Sequence, residues 1–219
     1  MMDKEQLAGM IDSAVLHADA TEDDIMLACA DARKYKFYGL DVNLGYAVLA
    51  KKLLKNSKTK LVITVGYPFG ATSAETKMFE AFQAVKAGAD EIDMVMNIGA
   101  FKSRNFAVVK KDILAVVEAV KGLPVKVIIE TGFLSHEEIF LASKLVLESG
   151  ANFVKTCSGY GPRGVSITDV KAIRKAVGPN FGIKASGGVT DAQHAIALVE
   201  AGATRIGSSN ARNVIKTSE

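Results

Sequence analysis

The sequence is poor in the residues that build disulfide scaffolds and metal sites. Among 219 residues it has no tryptophan, four prolines, three histidines and two cysteines. Cys29 and Cys157 form no CxxC pair and belong to no His/Cys cluster, which is typical of a reducing compartment and argues against structural zinc. His17, His136 and His194 form no HxH or HExxH spacing, so the sequence disfavours a metal-dependent enzyme.

Long apolar runs and a strong charge of one sign are also missing. No apolar stretch approaches the ~20 residues that a membrane-spanning helix needs, and residues 1–6 lack the apolar core of a signal peptide. The net charge is only +3, and the lysines and arginines are spread along the chain, with no basic tract that could follow a nucleic-acid backbone. We therefore expect a cytoplasmic protein that binds neither a membrane nor nucleic acid.

The chain does contain a regular alternation of two kinds of segment. Hydrophobic residues make up 49% of it, and short β-branched runs alternate with longer amphipathic stretches, as in repeated βα units around a parallel sheet. Eight units of about 27 residues match a compact (β/α)₈ TIM barrel, and we predict one domain over residues 1–219. The predicted strands are Ile11–Leu16, Gly39–Asn43, Lys60–Val65, Glu91–Met96, Val125–Glu130, Asn152–Thr156, Gly182–Ala185 and Thr204–Ile206.

Short polar signals mark the helix boundaries. A hydroxyl residue followed three positions later by an acidic residue can satisfy backbone N–H groups at a helix start. Glycine can adopt the left-handed conformation that ends a helix, and Gly88, Gly150 and Gly202 are predicted to do so before even-numbered strands. Residues 1–10 are predicted to add a short helix before the first strand. The four start signals are Thr21/Asp24, Thr72/Glu75, Ser135/Glu138 and Ser166/Asp169.

A doubly wound open sheet is the alternative fold, because it also alternates strands and helices. That fold usually carries a Gly-rich dinucleotide fingerprint after its first strand, and the residues after Leu16 contain none. The sequence therefore favours the barrel. Functional residues of a barrel gather at the carboxyl ends of the strands and in the loops that follow them.

Three charged residues lie within otherwise apolar predicted strands, namely Asp93, Lys155 and Lys184. A buried ammonium group is costly unless it is paired or loses its proton. One interpretation is a core ion pair, in which Asp93 neutralises a lysine. The other is that two neighbouring lysines repel, so that one stays uncharged and attacks a carbonyl carbon, while Asp93 relays protons. The spacing does not decide which lysine is the nucleophile.

Two glycine-containing loops follow the seventh and eighth predicted strands, at residues 186–188 and 207–209. Backbone N–H groups and helix N-termini at this position of a barrel are a frequent phosphate site. Three weaker candidates accompany them. Glu130 ends the fifth strand and has either a catalytic or a structural role, Cys157 is expected to pack, and residues 66–70 are expected to form an ordered loop above the site.

Five motifs occur in the order of a known enzyme family. They are Gly88-Ala89-Asp90-Glu91-Ile92-Asp93, Lys126-Val127-Ile128-Ile129-Glu130-Thr131, Phe153-Val154-Lys155-Thr156, Lys184-Ala185-Ser186-Gly187-Gly188 and Ala201-Gly202-Ala203-Thr204-Arg205-Ile206-Gly207. Together they resemble the deoxyribose-phosphate aldolase family over the range from Ile11 to the last strand. The resemblance implies a class I aldolase that reversibly converts 2-deoxy-D-ribose 5-phosphate to acetaldehyde and D-glyceraldehyde 3-phosphate, with no metal and no cofactor. It also implies a homo-oligomer, either a dimer or a tetramer.

The same resemblance implies a role for each matching residue. Lys155 matches the Schiff-base lysine, Lys184 the second lysine that makes Lys155 nucleophilic, and Asp93 the proton-relay carboxylate. Asp12 matches a further acidic residue of the polar network around the substrate. The implied substrate- and phosphate-binding residues are Thr156, Ser158, Gly159, Gly187, Gly188, Gly207, Ser208 and Ser209.

The chain departs from the family pattern near the expected substrate hydroxyls. Family members commonly read Asp-His-Thr where this chain has Asp12-Ser13-Ala14, and Cys-Val-Asn-Pro where it has Asp41-Val42-Asn43-Leu44. It also lacks the C-terminal tyrosine that some members use. A related lysine-dependent aldolase or thiolase acting on another phosphorylated carbonyl compound is therefore a second hypothesis. A third is a phosphate-binding barrel without catalysis.

Overall fold

Eight parallel strands close into a barrel in chain order. The computed structural model of the protein describes residues 2–218, and each strand pairs with its sequence neighbours, with β1 beside β8. The predicted (β/α)₈ barrel is therefore confirmed. The strands are β1 Ile11–Val15, β2 Gly39–Val42, β3 Lys60–Val65, β4 Glu91–Val95, β5 Val125–Ile128, β6 Phe153–Lys155, β7 Gly182–Ser186 and β8 Arg205–Ser208.

Helices surround the barrel and bury its outer face. Their apolar sides pack on the strands, as Val109, Ile113 and Val116 show for the sixth helix. The predicted N-terminal helix is present as a short segment, and residue 1 of that prediction lies outside the described residues. The helices are α1 Lys4–Ala8, α2 Glu22–Tyr35, α3 Ala47–Leu53, α4 Ala74–Lys86, α5 Ile98–Lys102, α6 Phe106–Ala119, α7 His136–Glu148, α8 Ile167–Val177, α9 Ala192–Glu200 and α10 Ala211–Lys216.

Three of the four predicted helix starts are confirmed as reciprocal capping boxes. Thr21, Ser135 and Ser166 each accept a hydrogen bond from the backbone N–H three residues on, and the acidic side chain there bonds back to the cap. The prediction at residues 72/75 is wrong by one position. Ser73 caps α4 instead, because its hydroxyl accepts a hydrogen bond from the backbone N–H of Thr76.

The predicted left-handed glycines after helices are also confirmed. Gly88, Gly150 and Gly202 have φ values of 94°, 76° and 117°, where a side chain would be strained. Most strand ends differ from prediction by one residue. Two strand ends differ by two residues. β8 continues beyond Ile206 to Ser208, and β5 ends at Ile128 because Glu130 takes a left-handed conformation with φ of 53° and turns the chain away from the sheet.

Lysines that are separate in the sequence line one groove of the folded chain. The groove, of about 810 Å³, lies at the end of the barrel where β3 begins, opposite the glycine-containing loops. Within it, Lys51 pairs with Asp90 at 3.0 Å. The lysines that line the groove are Lys51, Lys52, Lys55, Lys58, Lys60 and Lys86.

A buried ion pair outside the barrel interior joins α4 to α6. The Lys77 Nζ lies 2.7 Å from Asp112 Oδ2, and neither side chain is more than 2% exposed. Lys77 also donates to the carbonyl of Val95 at the end of β4. The pair therefore fixes two helices to the strand that carries Asp93. Within residues 2–218, no helix is long and apolar enough to cross a membrane.

Candidate active site

Charged side chains from seven of the eight strands meet inside the barrel. Along each strand of a barrel, alternate side chains point into the barrel interior. In this protein, four acidic and four basic residues occupy such inward positions. None of the eight is more than 6% exposed. Their formal charges balance when all of them are ionised. The residues are Asp12, Asp41, Glu91, Asp93, Lys126, Lys155, Lys184 and Arg205.

Asp93 lies at the centre of this cluster and contacts three ammonium groups. Its Oδ1 is 2.7 Å from the Nζ of Lys126, and its Oδ2 is 2.6 Å from that of Lys155 and 2.8 Å from that of Lys184. Burial alone raises the pKa of Asp93, but the three cations outweigh it and hold the pKa well below its usual value. Asp93 is therefore a permanent carboxylate.

Lys184 is held by three carboxylates and is fully buried. Its Nζ lies 2.6 Å from Asp12 and 2.8 Å from both Asp41 and Asp93. Burial favours the neutral amine, yet the three anions outweigh it and raise the pKa of Lys184 well above its ordinary value. Lys184 is therefore a permanent cation next to Lys155.

The lower part of the cluster forms the floor of the site. Lys126 binds Glu91 at 2.7 Å, and the Arg205 guanidinium lies between Asp12 at 3.0 Å and Glu91 at 3.2 Å. The same guanidinium stacks 3.3 Å from the centre of the Tyr38 ring. These contacts neutralise the buried charges and fix Asp12 beneath Lys184.

Of the three central lysines, Lys155 is the one that lines a cavity at the carboxyl ends of the strands. The cavity measures about 320 Å³. The Lys155 Nζ contacts Asp93 at 2.6 Å and Asp41 at 3.4 Å, and Lys184 binds the same two Oδ2 atoms. The two ammonium groups predicted to be neighbours are therefore neighbours, and only Lys155 faces a volume that can hold a substrate.

The opposite wall of the cavity is made by the two glycine-containing loops. Gly187 and Gly188 have φ values of 95° and 78°, and a Cβ at Gly187 would lie 2.7 Å from that of Cys157. Left-handed glycines of this kind turn backbone N–H groups toward an anion. The short helix α10 begins two residues after Ser209. The predicted binding residues that line the cavity are Ser158, Gly159, Gly187, Gly188, Gly207, Ser208 and Ser209.

Thr156 differs from the other predicted binding residues because it lies outside the cavity wall. Its hydroxyl donates to the Ser186 carbonyl at 2.8 Å and accepts from the Ser186 backbone N–H at 2.9 Å. Both hydrogen-bonding capacities are thus used within the barrel. Thr156 joins β6 to β7, and it is not among the residues that line the cavity.

A second row of contacts holds the loop that carries Ser158 over the cavity. Glu130 accepts from the backbone N–H of Ser158 at 3.0 Å and from its hydroxyl, and Tyr67 donates to the Ser158 carbonyl at 2.7 Å. The sequence leaves open whether Glu130 has a catalytic or a structural role, and these contacts favour the structural one. Tyr67 comes from the predicted roofing loop, and both Tyr67 and Tyr160 line the cavity.

Sequence analysis identified four interior charges, Asp12 among them through the family resemblance, and missed three others. Glu91, Lys126 and Arg205 each lie inside a predicted strand, and each is buried and paired. The signal was present, because a charged residue at an inward position of a barrel strand needs a partner within the same interior. Asp41 was recognised only as a departure from the family pattern, although its carboxylate contacts both catalytic-site lysines.

Comparisons with known proteins agree over the whole chain. The model of the DeoC/LacD family of aldolases matches residues 7–217. A deoxyribose-phosphate aldolase of Aciduliprofundum boonei is 49% identical over 220 residues, covering 100% of this chain and 99% of that protein. Deoxyribose-phosphate aldolase 1 of Bacillus licheniformis is 47% identical and covers 97% of this chain and 96% of its own length.

A solved structure shows the same architecture. The deoxyribose phosphate aldolase of Aeropyrum pernix, described as having a unique tetrameric structure, superposes with a TM-score of 0.92 at 31% identity. The match covers 99% of this chain and 92% of that one. With its barrel, its buried lysine pair and these relatives, the chain belongs to the DeoC/LacD family of aldolases.

Proposed function

We propose that this protein is a class I aldolase that reversibly cleaves 2-deoxy-D-ribose 5-phosphate to acetaldehyde and D-glyceraldehyde 3-phosphate. The observation that carries the proposal is the position of Lys155, whose Nζ lies at the floor of a cavity beside the permanently cationic Lys184. Lys126 and Lys184 do not line this cavity, so Lys155 is the amine that can reach and attack an aldehyde bound there.

The reaction follows from what each group can do at that position. The Lys155 amine adds to C1 of the open-chain sugar, and loss of water gives an iminium ion. The iminium withdraws electrons as the C2–C3 bond breaks, while the C3 hydroxyl loses its proton and leaves as an aldehyde. The remaining enamine takes a proton at C2, and water releases acetaldehyde. Asp93, whose pKa lies well below the usual value, holds Lys155 and balances the iminium charge. We therefore assign it this role and not the proton relay that the family resemblance implies.

The other end of the cavity supports a phosphorylated substrate. The left-handed glycines at residues 187 and 188, the loop at residues 207–209 and the start of α10 offer backbone N–H groups to an anion. The names of the relatives, all described as deoxyribose-phosphate aldolases, favour deoxyribose 5-phosphate as the sugar phosphate. A related lysine-dependent aldolase or thiolase has the same requirements for a lysine pair and a phosphate loop.

Substrate comparison separates these possibilities. We expect kcat/KM for deoxyribose 5-phosphate to exceed that for other sugar phosphates, and Lys155→Leu to abolish turnover of each. Negligible turnover of deoxyribose 5-phosphate with good turnover of another phosphorylated carbonyl compound would favour the related enzyme. Absence of turnover for the whole panel, with phosphate binding retained, would favour the barrel without catalysis.

We further propose that residues 1–219 act as one catalytic domain in the cytoplasm and that the protein is a homo-oligomer. Two free, buried cysteines support a reducing compartment. The tetrameric description of the Aeropyrum pernix relative supports assembly. Light scattering of the purified protein tests the oligomeric state, and a monomer at enzyme concentration would contradict it.

A further inference from the structure

Asp41 is a second carboxylate in contact with the Lys155 amine. It has fewer hydrogen-bond partners than Asp93, and this difference decides which of the two carboxylates can hold a proton. Asp93 contacts three ammonium groups and uses both oxygens. Asp41 uses only Oδ2, which lies 2.8 Å from the Nζ of Lys184 and 3.4 Å from that of Lys155. Its Oδ1 has no hydrogen-bond partner, although the side chain is 1% exposed.

A buried carboxylate oxygen without a partner is unfavourable while the group is ionised. The groups facing Asp41 are Asp12 from β1, Asp93 from β4, Lys155 from β6 and Lys184 from β7. Burial, assisted by the neighbouring carboxylates of Asp93 and Asp12 and opposed by the ammonium groups of Lys184 and Lys155, raises the pKa of Asp41 to about 6. Among the acids around Lys155, Asp41 is therefore the one that takes up a proton most readily.

Charge balance leads to the same residue. The nucleophile must be a neutral amine, and discharging Lys155 alone leaves the cluster of four acids and four bases with one excess negative charge. Protonating one carboxylate restores neutrality. The cations around Asp93 and Asp12 hold the pKa of both carboxyls below the usual value, and Glu91 contacts Lys126 and Arg205, away from Lys155. The compensating proton therefore belongs on Asp41.

We propose that Asp41 is the proton acceptor that discharges Lys155 and later returns that proton to the departing carbinolamine hydroxyl. In the first step a proton moves from the Lys155 ammonium to the Asp41 carboxylate, which leaves an amine and a carboxylic acid. The amine adds to the aldehyde carbon, and its remaining extra proton passes to the new alkoxide. Asp41 then protonates that hydroxyl, the C–O bond breaks, water departs and the nitrogen lone pair forms the iminium.

This role rests on the proposed aldolase function, and it is a property of this chain. Family members commonly carry cysteine at this position, as the motif comparison above implies. After the proton is returned, the Asp41 carboxylate lies next to the iminium nitrogen and balances its charge. The same residue therefore serves the formation of the Schiff base and its persistence.

The experiment measures the rate at which acetaldehyde and borohydride label Lys155 as a function of pH, in the wild-type protein and in Asp41→Asn. Asparagine keeps the shape of the side chain but cannot accept the proton. In the wild type the rate should fall as the pH drops through about 6, because Asp41 is then already protonated. In Asp41→Asn the acid limb should move to higher pH, and the rate at pH 7 should fall about a hundredfold.

Controls keep the outcome interpretable. Asp112→Asn alters another buried, lysine-paired aspartate far from the cavity, and it should lower the melting temperature without moving the acid limb. If Asp41→Asn does not fold, Asp41→Cys supplies the side chain common in the family, and its acid limb should also move upward. Labelling of Asp41→Asn at the wild-type rate with an unmoved acid limb would overturn the proposal, even if turnover were lost. Absence of labelling in the wild type would instead refute the aldolase function.

Discussion

Replacing Lys184 by methionine removes the cation that contacts Asp41 and neighbours Lys155. Methionine keeps the aliphatic part of the side chain but removes a charge that three carboxylates hold at 2.6 to 2.8 Å. Two consequences follow. The acid limb of Lys155 labelling should move to higher pH, because the cation that lowers the pKa of Asp41 and repels a second ammonium ion is gone. The fold should also lose stability, because the buried carboxylates lose a shared partner.

The size of each effect follows from the contacts. Both Nζ atoms contact Asp93 Oδ2, at 2.6 and 2.8 Å, so the two nitrogens can be no more than about 5 Å apart. At that separation and an effective dielectric constant of about 20, two unit charges repel by about 3 kcal/mol, equivalent to about two pH units. Removing one partner of a buried ion pair costs about 3 to 5 kcal/mol. The pKa of Lys184 lies well above its ordinary value in the folded state. Its contribution to stability is therefore present at neutral pH and is lost only as the pH rises through that folded value.

The assay compares the pH dependence of acetaldehyde labelling of Lys155 in the wild type, Lys184→Met and Lys184→Arg, together with urea unfolding of each. The acid limb should move up by about two pH units in Lys184→Met and much less in Lys184→Arg, which keeps the charge. If Lys184→Met unfolds more easily but labels with an unmoved acid limb, Lys184 is only a structural counter-ion. That result would refute the electrostatic activation of Lys155.

Three further predictions concern the phosphate loop and the buried ion pairs. Gly187→Ala, whose Cβ would lie 2.7 Å from that of Cys157, should raise KM for the sugar phosphate at least about tenfold, while acetaldehyde alone still labels Lys155. Lys77→Met should cost about 3 to 5 kcal/mol in urea unfolding, and the double variant with Asp112→Leu should recover most of that loss; an additive double variant would contradict the pairing. Asp41→Asn should raise the free energy of unfolding by up to about 3 kcal/mol at pH 8 and by less at pH 5. The reason is that the pKa of Asp41 is raised to about 6, so that its ionised form destabilises the fold above about pH 6. Equal effects at both pH values would contradict this sign.

Most of the fold could be predicted because its signals are local. Alternation of β-branched runs with amphipathic stretches identifies the eight units, and glycine at positions 88, 150 and 202 marks helix ends by a backbone requirement that no neighbour alters. Strand ends were less predictable, since they depend on pairing with adjacent strands. Glu130 shows this, because its left-handed conformation is stabilised by contacts with Ser158, which is distant in sequence.

The site was predictable only in part because charges inside a barrel act as a group. Lys155 and Lys184 stood out as lysines in apolar runs, and the closed sheet places them on neighbouring strands as expected. The partners of each lysine depend on side-chain directions across the barrel interior. For this reason the sequence analysis identified Asp41 only as a departure from a family pattern, whereas in the structure Asp41 contacts both lysines. Thr156 was predicted to bind the substrate, but its hydroxyl donates a hydrogen bond to the Ser186 carbonyl within the barrel wall.

Identifying the residue that forms a covalent adduct tests the account most directly. The protein is incubated with acetaldehyde, reduced with borohydride, digested and examined by mass spectrometry, with Lys155→Leu treated in parallel. The lysine cluster predicts an ethyl group on Lys155, none on the buried Lys126 or Lys184, and no adduct at this site in Lys155→Leu. An adduct on Lys184, or an unmodified Lys155 in an active enzyme, would contradict it.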